Sequence, residues 1–277
     1  MLSSHGIPVY PLWLAIPLMF FIVGVRYLIF AGGAYLYFYV WKREALHRYK
    51  IDPVFPNPKL LKAEFKWSVV TSLLFGVAGA LVSEAWEAGY TRIYWDIAEY
   101  GWFYLFFSVF LMMFIHDTYF YFTHVLIHHP KLFKRVHKVH HDSVNPSPWA
   151  AFSFHPWEGL IEAIALPLII FIVPVHPIAF VSFLMIMTVL GVINHMGYEV
   201  MPKWFATHWF GKWFITATHH FQHHRLVKCN YGLYFTFWDR LLGTERADYP
   251  KFYAQVKAKG EAPTPGGGAT LNPQTLR

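Results

Sequence analysis

Apolar positions in this chain gather into four long blocks, separated by polar, basic or histidine-rich segments. The first block, residues 11–41 (PLWLAIPLMFFIVGVRYLIFAGGAYLYFYVW), exceeds the roughly 20 residues that cross a bilayer as a helix. Arg26 interrupts it, and Lys42 and Arg43 close it. It predicts one long tilted helix or a broken one, and it is far longer than the roughly 7–15-residue core of a cleaved signal peptide. A second span is expected over Trp67–Trp86, and a third from Gly101 to about Phe122, running into histidines. The fourth block, Leu160–Ile193, holds Pro174-Val175-His176-Pro177 near its middle. Proline breaks helices, and the resulting arms of about 14–16 residues are short for full spans. They predict a hairpin that dips in and returns to the same side.

Composition agrees with this pattern. Of the 277 residues, 56% are hydrophobic and only 14% charged, against about 25% charged in soluble chains, so water is not the main solvent. The expected fold is therefore all-α and integral to a membrane, with about four transmembrane helical units, one a re-entrant or hairpin pair, under a histidine-rich helical cap. Residues 1–259 read as one membrane-embedded domain. The stretch 260–277 (GEAPTPGGGATLNPQTLR) predicts a disordered tail, because it has no apolar period. The formal charge of +7 sits between apolar spans, which favours anionic lipid head groups over nucleic acid as neighbours. Of the 23 Lys and Arg, all but Arg26 and Arg92 fall in residues 42–66 or after His124. By the positive-inside tendency the histidine-rich end should face the cytoplasm.

The single cysteine, Cys229, excludes an internal disulfide and every thiolate metal cage, so a bound metal would rest on His, Asp or Glu. Most of the 17 histidines fall in three stretches: HDTYFYFTHVLIHH (116–129), HKVHH (137–141) and HHFQHH (219–224). On a helix, i and i+4 share a face, so His124 and His128 point together. In HxxHH the i, i+3 and i+4 positions are expected to present three imidazoles on one face, at His137, His140 and His141 and again at His220, His223 and His224. Eight nitrogen donors exceed what one metal uses, and two metals are the natural count. Imidazole suits Zn, Cu, Fe and Ni alike, so donor type alone does not name the metal. A zinc hydrolase would want the Glu of HExxH, which is absent, and a carboxylate di-iron bundle would want two ExxH pairs, where only Glu44–His47 matches. His5, His47, His176 and His208 read as polar residues near the membrane edge.

HVLIHH, HKVHH, NHMGYE and HHFQHH together resemble the histidine boxes of the sterol desaturase and fatty acid hydroxylase superfamily, over roughly residues 100–246. NPSPWAAFSFHPWEG (145–159) and NYGLYFTFWDRLLGT (230–244) are similar to its sterol C5-desaturase branch in particular. The resemblance implies a metal set of His124, His128, His137, His140, His141, His195, His220, His223 and His224. It leaves His129 and His155 as possible extra ligands or path-lining residues, and His219, Asp117 and Glu199 as possible orienting partners. His116 stands outside the family's ligand pattern.

The same resemblance implies a non-haem di-iron centre, O2 as co-substrate and a membrane lipid as substrate, oxidised by desaturation or hydroxylation. Relatives with a fused cytochrome b5 carry an HPGG motif that this sequence lacks, so electrons are expected from a separate cytochrome b5, ferredoxin or reductase. The site would face the cytoplasm of a bacterial inner membrane or the endoplasmic reticulum. A membrane metal transporter or sensor is the alternative, and it would need ionisable residues running along the spans.

Overall fold

The computed structural model describes residues 10–260, so His5 and the segment 261–277 with its expected tail lie outside the described residues. Among the described residues, the helices that build the bundle and the site are numbered α1 to α10. The first, α1 (Leu12–Trp41), is one continuous rod and not two pieces, but it is wound wide in two π turns at Leu28–Gly32 and Leu36–Trp41. α2 (Pro58–Glu87) begins nine residues before the expected start, because Asn57 caps it by accepting from Leu60 N at 2.8 Å and Pro58 sits at its first position. α3 (Gly101–Ile127) carries the first histidines at its end. Two short helices follow, α4 (Pro130–Val136) and α5 (Lys138–His141). Then come α6 (Pro156–Ile172), α7 (Pro177–His195), α8 (Ala217–Leu226), α9 (Phe237–Leu241) and α10 (Tyr249–Lys259).

Helices α1, α2, α3 and α7 are each long and apolar enough to cross a membrane. Their outward faces are apolar while their buried faces carry small and polar residues, as expected where lipid and not water lies outside. On α2 the buried positions are Glu64, Ser68, Thr71, Ser72, Gly76 and Ala80, whereas Phe65, Val69, Leu73 and Leu81 are exposed. Gly76 permits the closest approach of α1, since a Cβ there would stand 2.7 Å from Phe20 N.

The expected hairpin is present, but its turn does not stop halfway. Arg92 N donates to Ile170 O (2.9 Å), Val175 N to Arg92 O (3.0 Å) and Tyr94 N to Val175 O (3.1 Å). The α6–α7 turn therefore meets the α2–α3 loop at the far end of the bundle. Arms of 17 and 19 residues reach it because the helices extend beyond the apolar run at both ends. At the opposite end the 145–152 segment staples α1 to α2: Trp149 O accepts from Tyr27 Oη (2.8 Å) and Ser68 Oγ (2.9 Å), and Ser147 Oγ donates to Glu64.

Candidate metal centre

All nine histidines of the expected metal set converge at that second end, and they form two groups. His124, His128, His137, His141 and His223 make one, and His140, His195, His220 and His224 the other, with the ligand atoms of each within 4.8 Å of one another. The groups adjoin, the His141 and His224 rings lying 5.0 Å apart.

Here the structure corrects the expectation that each HxxHH presents one three-imidazole face. In HKVHH the i and i+4 residues, His137 and His141, enter the first group and the i+3 residue, His140, the second. HHRL-end box HHFQHH reverses this: His220 and His224 enter the second group and His223 the first. The reason is angular, because i and i+4 differ by about 40° around a helix while i+3 and i+4 differ by about 100°.

Hydrogen bonds on the far ring nitrogens fix the tautomers. His124 Nδ1 donates to Tyr231 O, His223 Nδ1 to Cys229 O, His195 Nδ1 to Gly191 O and His137 Nδ1 to Glu158 Oε1, each at 2.7 Å. His140 Nδ1 reaches Ser153 O and His141 Nδ1 reaches His224 O, both at 3.3 Å. A carbonyl only accepts, so the rings bonded to carbonyls carry hydrogen on Nδ1 and a lone pair on Nε2. Yet the Nε2 atoms of such rings face one another, at 3.0 Å for His141 and His223 and 3.3 Å for His140 and His195. Lone pair against lone pair is repulsive unless a cation lies between them. Metal–nitrogen bonds of about 2.1 Å set donor–donor edges of roughly 3.0–3.4 Å, so this donor set fits a bound metal in each group. Burial, with neighbouring imidazoles second, pushes His137, His140, His220, His223 and His224 well below their ordinary pKa, and His128 and His141 move the same way. They are neutral at physiological pH, the form that binds metal.

The remaining candidates stand outside both groups. His129 is exposed and caps α4, with Nδ1 accepting from Lys131 N, and His155 caps α6 through Trp157 N (each 3.4 Å). Both precede a proline at a helix start, where a cap is what the backbone requires. His219 is fully buried against Tyr249, with Nε2 3.9 Å from Glu245 Oε1. Asp117 and Glu199 orient backbone, not imidazole. Asp117 Oδ1 accepts from the amides of Leu233, Tyr234 and Phe235 (3.0, 2.7 and 3.2 Å), fixing the loop that presents Tyr231 O to His124. Glu199 accepts from Thr218 N and Met201 N (both 2.9 Å) and so holds the start of α8.

Glu158 was not singled out from sequence, although it ends the HPWE stretch. It is 2% exposed, and its second oxygen has no hydrogen-bond partner among the described residues. The backbone acceptors Tyr231, Cys229, Gly191 and Ser153 leave no signal in side-chain identity.

A cavity of about 300 Å³ runs between α1, α2, α3, α6 and α7 from the far end of the bundle toward the histidines. Phe120 and Phe154 line it and pack on His124 (4.7 Å) and His140 (5.1 Å), so the two groups lie behind this wall and none of the nine histidines lines the cavity itself. Its walls are otherwise mainly apolar, interrupted by Arg26, Ser83, His116 and Glu162.

A helical membrane bundle with two converging histidine groups behind the wall of an apolar cavity defines a histidine-box membrane protein. The fatty acid hydroxylase family matches residues 109–244, which contain every histidine of both groups. A Delta(7)-sterol 5(6)-desaturase of Aspergillus fumigatus is 30% identical over 244 residues, 81% of this chain and 72% of the relative. One from Gibberella zeae is 29% identical over 232 residues, 82% and 68% of the two chains. Lathosterol oxidase of Rattus norvegicus is 34% identical over 159 residues, 56% of this chain and 51% of the relative, so the match spans about half of that enzyme. No solved structure matches the chain. The chain belongs to the fatty acid hydroxylase family, on its sterol desaturase branch.

Proposed function

We propose that the chain oxidises a C–H bond of a membrane lipid, a sterol by its relatives' names, using O2 and two non-haem iron ions held by the two histidine groups. The observation that carries this reading is the pairing of lone-pair-to-lone-pair imidazoles with an apolar cavity whose wall, at Phe120 and Phe154, packs on them. Iron bound there would supply the chemistry of O2 reduction. His124, His128, His137, His141 and His223 would hold one ion, and His140, His195, His220 and His224 the other.

The chain's own part is binding, orientation and exclusion of water. A lipid gains about 0.8 kcal/mol per CH2 buried in an apolar path. Phe120 and Phe154 keep water from the inner end, and the cavity wall decides which carbon meets the histidines. For desaturation the balance is two hydrogen atoms from the substrate, two electrons from a donor and two protons from solvent, with O2 converted to two waters. Hydroxylation puts one oxygen atom into the substrate and one into water.

A redox protein would supply the electrons. Lys131, Lys134, Arg135 and Lys138 are exposed on α4 and α5, and Phe133 between them packs 5.4 Å from both His128 and His141. This face offers an acidic redox partner a short path to the first histidine group. By the distribution of lysine and arginine it lies in the cytoplasm. The transporter reading fits less well, because the guanidinium of Arg26 in the cavity would repel a passing cation.

The test is sterol analysis of a sterol desaturase-deficient host with and without the gene, with iron and O2 consumption measured on the purified protein. A new unsaturated or hydroxylated sterol with about two iron per chain is expected. An unchanged lipid profile with metal-free, folded protein would remove the reading.

A further inference from the structure

Three ionisable side chains interrupt the apolar wall of the cavity: Arg26 of α1, His116 of α3 and Glu162 of α6. Each is more than nine-tenths buried, at 9%, 5% and 8% exposure. Tyr234 Oη bonds His116 Nδ1 at 2.8 Å. The helix rise places two of the three. His116 stands eight residues before His124, about 12 Å along α3, and Glu162 one turn beyond Glu158, about 6 Å along α6. This polar collar of the wall therefore begins one to two turns from the histidine groups, within the length of a single lipid molecule.

Arg26 Nε has no hydrogen-bond partner among the described residues. A guanidinium at bilayer depth with an unsatisfied donor is expensive, and ionisable residues in such positions mark sites of function. Nothing in the metal groups uses it. What would satisfy the collar must accept from Arg26 and donate to Glu162 or to the free Nε2 of His116, while an apolar body fills the rest of the cavity. A hydroxyl does both. A carboxylate would accept from Arg26 but has no hydrogen to donate to His116 Nε2, and it would add a second acid to a closed apolar space.

We infer that Arg26, with His116 and Glu162, forms a subsite for the hydroxyl group of a lipid alcohol, and that this anchor sets which carbon is presented to the histidine groups. The inference rests on the lipid-oxidation reading for its consequence but not for its test, which is binding.

The experiment measures equilibrium binding to the purified, metal-free full chain in lipid nanodiscs. The probes are a saturated 3-hydroxysterol and the same sterol with hydrogen in place of the hydroxyl, and 1-octadecanol against octadecane and octadecanoate. Wild type should prefer at least one alcohol over its hydrocarbon by about tenfold, equivalent to about 1.4 kcal/mol. Arg26→Met should reduce that preference to under about twofold while hydrocarbon binding stays unchanged, which also shows that the cavity is intact. Glu162→Gln, which keeps an acceptor, should retain part of it and serves as the second variant if Arg26→Met does not fold. The inference is overturned if wild type shows no alcohol preference in either pair, if Arg26→Met keeps the preference, or if octadecanoate outcompetes octadecanol. Intact alcohol selectivity without any lipid oxidation in cells would remove the functional reading and leave the subsite standing.

Discussion

Glu158 makes the most direct test of the metal reading, because it touches one histidine group only. Its Oε1 takes the Nδ1 hydrogen of His137 at 2.7 Å in a site from which water is excluded. That bond holds the His137 ring in place and increases the electron density on Nε2. Removing such a partner behind a metal-binding histidine typically costs about 10–100-fold in affinity. Glu158→Ala should therefore weaken metal at the five-histidine group by about 10–100-fold. Glu158→Gln, which keeps an acceptor oxygen, should lie near the low end. The assay is metal retention against a graded chelator series, with thermal melting to confirm folding. Metal content should fall from about two toward one per chain, since the His140 group makes no bond to Glu158. Unchanged retention in folded Glu158→Ala, or equal loss from both sites, would refute the reasoning.

Other perturbations have equally specific outcomes. His140→Ala and His195→Ala should each abolish lipid product and lower metal content while the protein stays in the membrane, whereas His47→Ala, exposed and bonded only to Pro53 O, should leave product within about twofold by lipid analysis. Gly76→Ala should destabilise the bundle by about 1–3 kcal/mol and lower its melting temperature, because the added methyl would sit 2.7 Å from the Phe20 backbone. For the metal-free chain, the buried histidines resist protonation in the folded state, so the unfolded state binds more protons below about pH 6.5; their contribution to stability should be complete above that pH and be lost as pH drops through it, measured by denaturation at pH 7.5 and pH 5. Reversing Lys131, Lys134 and Arg135 to Glu together should weaken binding of an acidic redox protein by about tenfold or more at low salt and leave metal content unchanged, read by salt-dependent binding.

The sequence carried the spans and the donor set because both are written in residue identity. Apolar blocks report bilayer depth, and histidines repeated at helical spacing report a shared direction. What it concealed was set by backbone and by neighbours distant in the chain. The π turns of α1, the depth of the α6–α7 turn and the carbonyls behind His124, His195 and His223 depend on where other segments pass. His129 and His155, expected only as possible extra ligands or path-lining residues, cap helices for a local reason: each stands before a helix-starting proline, where a capping side chain is wanted whatever lies nearby. Glu158, three residues after His155, could have been found by asking which acid near the boxes lies on the buried face of an amphipathic start.

The exchange of i+3 histidines between α5 and α8 has a further consequence for assembly. Each group needs donors from both helices, since His223 of α8 completes the first and His140 of α5 the second. Neither HxxHH can therefore build a complete group alone, and docking of α8 is a condition for both at once. That docking is held by Glu199 at the first turn of α8, by Thr216 accepting from His219 N (3.3 Å), and by Asn230 donating to His219 O (3.0 Å). Glu199→Ala removes an acceptor from buried amides and should cost about 1–3 kcal/mol of local stability. Unlike Glu158→Ala, it should loosen metal at both groups together, so that content falls from two toward zero without a plateau near one. A stable one-metal species in Glu199→Ala would mean that the two groups assemble independently, and the shared-helix account would fail.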